Sequence, residues 1–194
     1  MQLLIFTSFL IAYFVLHSVL SAHGVKKALI NEYIGEKYYR LAFNAIALIT
    51  LMPIIYSFST IASPYLFVSS IASSIGVLFV ALGLFLLLYA LSQYNLSEFS
   101  GIEQLKTNTS PAPQKLKTTG FNSLVRHPLY FAGLIIIWGG FLYSPSLKIL
   151  VASIIATLYL YFGTKLEEQK LLLEFGEEYR SYQKKVGMII PWLK

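Results

Sequence analysis

The sequence lacks cysteine and aspartate altogether and contains only three histidines. Without cysteine, disulfides, thiolate nucleophiles, iron–sulfur clusters and cysteine-type zinc sites are excluded. Without aspartate, all nine acidic residues are glutamates, so an aspartyl catalytic dyad is excluded as well. The three histidines, His17, His23 and His127, are far apart in the sequence. We therefore expect no metal.

Charged residues are also scarce. They make up 12% of the 194 residues, and hydrophobic residues make up 56%. A soluble domain typically has about 25% charged and about 45–50% apolar residues. This composition is typical of a membrane protein, for which the lipid bilayer is the first expected partner.

Five apolar runs approach the length of about 20 residues that a helix needs to cross a membrane. They are Leu3–Ser21, Leu41–Phe58, Phe67–Leu91, Leu129–Tyr143 and Leu147–Gly163. Only three residues separate the last two runs, which predicts a tight helical hairpin. No positive charge precedes the first run, so we expect a retained span and not a cleaved signal peptide. The expected fold class is all-α, a polytopic membrane helical bundle of about five transmembrane helices.

Lysine and arginine alternate between the connections. Fourteen of the fifteen lie after the first span, after the third span or in the tail, and only Lys148 lies on the other side. Positive residues concentrate in cytoplasmic loops, so we expect the N-terminus outside and the C-terminus in the cytoplasm. The net charge of +6 thus indicates topology, and we expect no nucleic-acid partner.

Local signals refine this outline. The small residues Ala72, Gly76 and Gly83 predict close helix contacts of the third span. Tyr94–Ser123 is expected to be a partly ordered connection, with Pro111, Pro113 and Gly120 as breakers. The tail has the spacing of an amphipathic helix lying on the membrane, and Gly176 is expected to break or kink it.

Arg126, His127 and Pro128 stand at the start of the fourth span. Proline favours the first position of a helix, so we expect Pro128 to begin this helix and His127 to cap it. Free N–H groups at that helix start, together with the Arg126 guanidinium, predict an anion site at the membrane edge. The alternative is that Arg126 and His127 only anchor a helix end at the lipid headgroups.

Glu167 and Glu168 directly follow the fifth span. Because the fourth and fifth spans form a hairpin, this carboxylate pair is expected to return beside Arg126. A cation beside carboxylates suits a zwitterionic ligand. The alternative is an ordinary surface pair that contacts Lys165 or Lys170 at helical spacing.

His17 lies within the first span. An ionisable residue inside a membrane helix is a functional hypothesis by default. A neutral histidine bonded to a neighbouring helix is an equally good interpretation. A haem would need a second histidine well inside a span, and the sequence offers none.

The C-terminal half carries a pattern of a known family. "TTGFNSLVRHPLYFAGLIIIWG" followed by "EEQKLLLEFGEEYRSYQKKVGMIIP" resembles the integral-membrane methyltransferases, which include isoprenylcysteine carboxyl methyltransferase and the phospholipid methyltransferases. "YFVLHSVLSAHGVK", "YYRLAFNAIAL" and "YNLSEFSGIEQL" resemble the branch of methanethiol S-methyltransferases and nitrite/nitric-oxide-associated membrane proteins.

The resemblance implies an S-adenosylmethionine-dependent methyltransferase that releases S-adenosylhomocysteine. It implies one domain, residues 1–194, with a three-span part (1–91) and a cofactor-binding hairpin and tail (92–194). Arg126, His127 and Glu167 are the expected catalytic residues. The expected cofactor-binding residues are Gly120, Arg126, His127, Pro128, Tyr130, Glu167, Glu168, Phe175 and Tyr179.

The methyl acceptor is left open between a small thiol, an isoprenylcysteine-like carboxylate and a lipid. Other functions also stay open at this point. One is a non-catalytic accessory protein on the same scaffold, and others are a small transporter or a haem protein.

Overall fold

A computed structural model describes residues 1–100, 102–107 and 115–193. These residues form α-helices and contain no extended strand. The helices are α1 (Gln2–Ser21), α2 (His23–Leu29), α3 (Glu36–Thr60), α4 (Ser70–Leu91), α5 (Leu96–Ser100), α6 (Ile102–Thr107), α7 (Pro128–Tyr143) and α8 (Leu147–Lys185). A π-helical turn, Ile30–Ile34, precedes α3, and a 3₁₀ turn, Gly120–Ser123, precedes α7.

Every predicted span contains a helix, although the helix of the third span begins at Ser70, three residues after the predicted start at Phe67. α1, α3, α4 and α8 are long and apolar enough to cross a membrane, and α7 is a shorter apolar helix of 16 residues. At about 1.5 Å per residue, α7 is about 24 Å long and shorter than a hydrocarbon core of about 30 Å. The chain is an all-α, polytopic integral membrane protein.

The polar connection after α4 contains the short helices α5 and α6. The side-chain amide of Asn44 in α3 donates to the Ser100 carbonyl at the end of α5, at 3.0 Å. The predicted breakers Pro111 and Pro113 lie outside the described residues.

Contacts divide the chain into two compact units. The first comprises Met1–Ala62 and Tyr94–Gln114, and the second comprises Ser63–Gln93 and Lys115–Lys194. In the first unit α1 packs on α3, where the His17 ring meets the Phe43 ring edge-on with 4.8 Å between centroids.

In the second unit, glycines let α4 and α7 approach closely, as the small residues of the third span predict. A Cβ atom on Gly83 would lie 2.6 Å from an Ile136 side-chain carbon. A Cβ on Gly139 of α7 would lie 2.8 Å from the Cβ of Phe79. Only residues without a side chain fit at these crossing points.

α7 and α8 form the predicted tight hairpin. Its turn is held by the segment before α4: the amide of Leu66 donates to the Pro145 carbonyl at 2.7 Å, and the amide of Leu147 donates to the Pro64 carbonyl at 3.2 Å. The hairpin therefore returns the chain to the level at which α7 begins.

The fifth span and the tail helix form one continuous element, α8, which at 39 residues is longer than the hydrocarbon core. Its apolar stretch ends near Gly163, and the polar remainder extends beyond that stretch. Gly176 interrupts the helix with φ +54° and ψ −125°, a conformation that is essentially restricted to glycine. The break predicted at Gly176 is therefore present as a kink inside the helix.

Candidate functional site

The start of α7 is joined to the chain that follows α8. Val125 and Gly187 form a parallel bridge. The amide of Arg126 donates to the Gly187 carbonyl at 2.9 Å, and the amide of His127 donates to the Met188 carbonyl at 3.1 Å. As predicted, α7 begins at Pro128 with His127 at its N-cap position. These backbone bonds hold the two polar segments of the site against each other.

Arg126 is an internal residue in this site. Its side chain is 6% exposed. Nε and Nη2 donate to the two carboxylate oxygens of Glu168 at 2.5 and 2.9 Å. Nη1 donates to the carbonyls of Gln183 and Val186. Each guanidinium nitrogen therefore has a protein acceptor, and the arginine joins the start of α7 to α8 and to the segment after it.

Glu168 is the common acceptor of this cluster. Besides Arg126, the Tyr179 hydroxyl donates to it at 3.1 Å and the Gln183 side-chain amide at 2.8 Å. The His127 ring lies 3.3 Å from the same carboxylate. Burial would raise the pKa of Glu168, but hydrogen bonds from His127 and Arg126 lower it to about 2. The buried carboxylate is therefore ionised.

His127 lies between the two glutamates. Its side chain is 5% exposed, with Nδ1 3.5 Å from a Glu167 oxygen and Nε2 3.3 Å from a Glu168 oxygen. The Tyr130 ring stacks on the imidazole at 5.6 Å and an interplanar angle of 6°. Burial would lower the pKa of His127, but its hydrogen bonds to both glutamates raise it above the ordinary value. The site therefore favours the imidazolium.

Glu167 is the accessible carboxylate of the cluster. Its side chain is 44% exposed, compared with 8% for Glu168. Partial burial would raise the pKa of Glu167, but hydrogen bonds from His127 and Tyr130 lower it. The half-exposed Glu167 and Tyr130 thus form the outer face of a cluster whose inner part is the buried Arg126–Glu168 pair.

The remaining predicted residues take different places. Pro128 is buried at the first position of α7, and Tyr179 is buried against Glu168. Gly120 has φ +64°, and a Cβ there would lie 2.6 Å from the side-chain oxygen of Gln93. Phe175 is half-buried on α8, one turn before Tyr179. Gly120 and Phe175 take no part in the described hydrogen bonds around Glu168.

Three polar residues that sequence reasoning did not select support the cluster. Gln183 bonds Glu168, the Tyr182 hydroxyl donates to the Asn122 carbonyl, and the Asn122 amide donates to the Arg126 carbonyl at 3.2 Å. Tyr179 and Gln183 follow Glu168 by eleven and fifteen residues. The non-helical backbone at Gly176 lies between Glu168 and both residues, so helical spacing does not predict these contacts and no sequence signal identifies Gln183.

Among the described residues, no group of three or more histidine, cysteine, aspartate or glutamate side chains could hold a metal ion.

The family model described as NnrU protein matches residues 5–181 of this sequence. The chain belongs to the NnrU protein family. This membership confirms the resemblance to membrane methyltransferases of the nitrite/nitric-oxide-associated branch, and it covers both compact units.

Relatives in this family group carry a methyltransferase name. A methanethiol S-methyltransferase of Pseudomonas deceptionensis is 36% identical over 102 residues, which cover 50% of this chain and 37% of the relative. Methanethiol S-methyltransferase 1 of Bradyrhizobium diazoefficiens is 32% identical over 98 residues, 49% of this chain and 34% of the relative. The matches thus span about a third of the length of these relatives. No solved structure matches the chain significantly.

Proposed function

We propose that this protein is a membrane methyltransferase that uses S-adenosylmethionine and transfers its methyl group to a small or lipophilic acceptor. The observation that carries the proposal is the Arg126–Glu168 cluster, because it lies within the pattern shared with membrane methyltransferases. The similarity to methanethiol S-methyltransferases supports the same activity. In this proposal residues 1–194 act as one domain, with 92–194 as the cofactor-binding part.

The donor carries a positive charge on its sulfonium and on its ammonium group, and hydroxyls on its ribose. The half-exposed Glu167 carboxylate can bind a positively charged group or the ribose hydroxyls. The nearby Tyr130 ring offers a flat apolar surface. His127 positions this face, and Tyr179 holds Glu168 behind it. Pro128, Gly120 and Phe175 are proposed as further cofactor-binding residues from the family resemblance. S-adenosylmethionine would supply an electrophilic methyl group there.

The sequence predicts that Arg126 lines an open anion site. In this proposal it has a different role. Its nitrogens already bond Glu168 and two backbone carbonyls. We propose that Arg126 and Glu168 act as positioning residues, because they hold His127 and Glu167 at the accessible face. A donor carboxylate is then left to the backbone N–H groups at the start of α7.

We propose a small thiol as the first acceptor to test, since the relatives are named for methanethiol. Methyl transfer is an in-line displacement that depends mainly on positioning and on exclusion of water. The thiol proton has to leave during the transfer. Glu167 can accept it at the surface of the cluster, and the His127 imidazolium holds that carboxylate in place.

The same proposal includes the orientation of the chain in the membrane. The lysine and arginine distribution favours an outside N-terminus and a cytoplasmic C-terminus. The cluster and the C-terminal segment would then face the cytoplasm, where S-adenosylmethionine is made.

The test is an acceptor screen with the full chain in liposomes, scored by formation of S-adenosylhomocysteine from S-adenosylmethionine. Thiols, isoprenylcysteine-like carboxylates and lipid amines are offered in parallel. We expect Glu167→Gln to weaken donor binding about tenfold or more, because it removes a charged hydrogen-bond acceptor. The matched control is Glu177→Gln, which changes an exposed glutamate on the same helix.

Equal donor binding by both variants would refute the assignment of Glu167. Donor binding without methyl transfer to any acceptor would favour the non-catalytic accessory protein. Failure of the wild-type chain to bind donor would overturn the proposal as a whole.

A further inference from the structure

The residues after α8 form a compact C-terminal turn, Val186–Leu193. The amide of Leu193 donates to the Ile190 carbonyl at 3.2 Å. A Cβ atom on Gly187 would lie 3.0 Å from the Leu193 carbonyl oxygen and 3.2 Å from the Trp192 amide nitrogen, so the turn closes over this glycine. Trp192 has φ +64°, a strained backbone conformation for a bulky residue.

The turn has an inner and an outer face of different character. Ile189 is buried at 6% exposure and Gly187 is buried beside it. Trp192, Leu193 and Ile190 are 88%, 64% and 51% exposed. The strained turn thus presents a tryptophan and two aliphatic side chains outward instead of burying them.

The position of the turn indicates what lies next to this apolar face. Its carbonyls at Gly187 and Met188 accept hydrogen bonds from Arg126 and His127. α7 begins at the following residue, Pro128, and is apolar from its first turn. The turn is therefore fixed at the level where the chain enters the hydrocarbon core, and tryptophan is enriched at that level in membrane proteins.

The charged side chains of the segment that leads into the turn have one sign. From Tyr179 onward the sequence contains no acidic residue, and its cations are Arg180, Lys184, Lys185 and Lys194. Lys184 and Lys185 are exposed in the last turn of α8, immediately before Val186. The acidic residues Glu174, Glu177 and Glu178 all precede this stretch. Exposed lysines in the same segment as an exposed tryptophan complement a surface of anionic lipid headgroups.

We propose that the C-terminal turn docks on anionic lipids of the leaflet at which α7 begins, with Trp192 and Leu193 in the interface and Lys184 and Lys185 on the headgroups. Three carbonyls at the docked end, those of Val186, Gly187 and Met188, accept hydrogen bonds from Arg126 or His127. Docking therefore stabilises the backbone that positions the Arg126–Glu168 cluster. This contact with lipid is independent of the proposed methyl transfer.

The first experiment measures fluorescence quenching of Trp192 in the full chain. The sequence has two tryptophans, so Trp138→Phe leaves Trp192 as the sole tryptophan, which is excited selectively over tyrosine. The protein is reconstituted in vesicles of brominated phosphatidylcholine, with or without phosphatidylglycerol. We expect quenching by bromines near the headgroups, stronger with phosphatidylglycerol, and loss of that difference in K184Q/K185Q.

The matched control is Trp192→Phe, in which only Trp138 of α7 reports and phosphatidylglycerol has no effect. If Trp138→Phe does not fold, the wild-type chain labelled with fluorotryptophan is measured by fluorine NMR instead. Trp192→Phe then identifies which signal belongs to Trp192. No response of Trp192 at any bromine depth would overturn membrane docking. An equal response in both lipids would overturn the requirement for anionic headgroups.

The second experiment tests the link to the cluster without any donor. Hydrogen exchange at the amides of Arg126 and His127 reports the bonds to the turn. We expect exchange to be slower with phosphatidylglycerol, and to become faster by about fivefold for each lysine replaced in K184Q/K185Q. Exchange rates that change neither with lipid composition nor in K184Q/K185Q would refute the link, whether or not the protein proves to be a methyltransferase.

Discussion

The cluster has four charged or titratable groups, Arg126, His127, Glu167 and Glu168, and they differ in burial. Both side chains of the Arg126–Glu168 pair are less than 10% exposed, so removing one partner leaves the other charge buried and unpaired. Breaking such a pair typically costs about 3–5 kcal/mol. Glu167, one residue away, is half-exposed and keeps access to solvent. In the proposed function, the neighbouring glutamates therefore serve stability and binding separately.

We expect Glu168→Gln to destabilise the protein by about 3 kcal/mol or more, because Arg126 loses its counter-ion. Glu167→Gln is the matched control, with an expected loss under about 1 kcal/mol from a half-exposed ion pair. Thermal unfolding in detergent measures both. Equal stability losses in the two variants would contradict the division of roles.

The cluster also predicts a pH dependence of stability. The pKa of Glu168 is lowered to about 2, so its contribution is present above its ordinary pKa of 4.5 and is lost as pH falls through about 2. The pKa of His127 is raised, so its contribution is present below the ordinary value of 6.5 and is lost as pH rises through the raised pKa. We expect the cluster to stabilise most between about pH 4.5 and 6.5.

The measurement is the unfolding temperature in detergent as a function of pH, for the wild-type chain and for His127→Gln. The groups facing His127 are Glu167, Glu168, Arg126 and Tyr130, and none of them is replaced. We expect the decline above pH 6.5 to become shallower in the variant. A decline of unchanged steepness would show that another group controls it.

At the scale of the helices, α4 and α7 show what a pattern of small residues can and cannot predict. Gly76 and Gly83 indicate a close contact along α4, because glycines permit helices to approach. The sequence does not identify the partner. The structure shows it to be α7, where Gly139 faces Phe79 and Val80.

Gly139→Ala is expected to disrupt this contact and to cost about 1–3 kcal/mol, the usual penalty for overpacking. A Cβ there would lie 2.8 Å from the Cβ of Phe79 and 2.9 Å from the Val80 amide nitrogen. Gly140→Ala is the matched control, since a Cβ at the next residue meets nothing within 4 Å. Thermal unfolding of both variants checks the difference, and a Gly140→Ala loss as large as that of Gly139→Ala would contradict it.

The contacts made within α8 also could not be predicted from its helical pattern. The sequence predicts an interruption at Gly176, and the structure has positive φ at that residue. Yet Tyr179 and Gln183, which follow the kink, both reach Glu168, which precedes it. Only the coordinates show that the two parts of α8 contribute to one hydrogen-bonded cluster.

At the scale of the whole molecule, the asymmetry of lysine and arginine predicts the orientation in the membrane. The absence of native cysteine makes this prediction simple to test, because an introduced cysteine is then the sole thiol. Val68, before α4, is 90% exposed, and Ser181, near the end of α8, is exposed as well. The two positions are expected on opposite sides of the membrane.

We expect Val68→Cys to react with an impermeant maleimide added outside intact cells, and Ser181→Cys to react only after the membrane is opened. The physical reason is that lysine and arginine are retained on the cytoplasmic side. The cysteine-free wild-type chain is the control for background labelling. The reverse labelling pattern would show an inverted orientation and would move the cluster to the outside.

The sequence by itself determined the all-α membrane fold, the start of α7 at Pro128, the hairpin and the kink at Gly176. Each of these follows from local composition, from run length or from the restricted backbone of proline and glycine. The tertiary structure alone decided that Arg126 bonds Glu168 and two carbonyls, and that Glu167 is the accessible carboxylate. Burial and hydrogen-bond partners come from segments some forty to sixty residues apart in the chain, which no local pattern encodes.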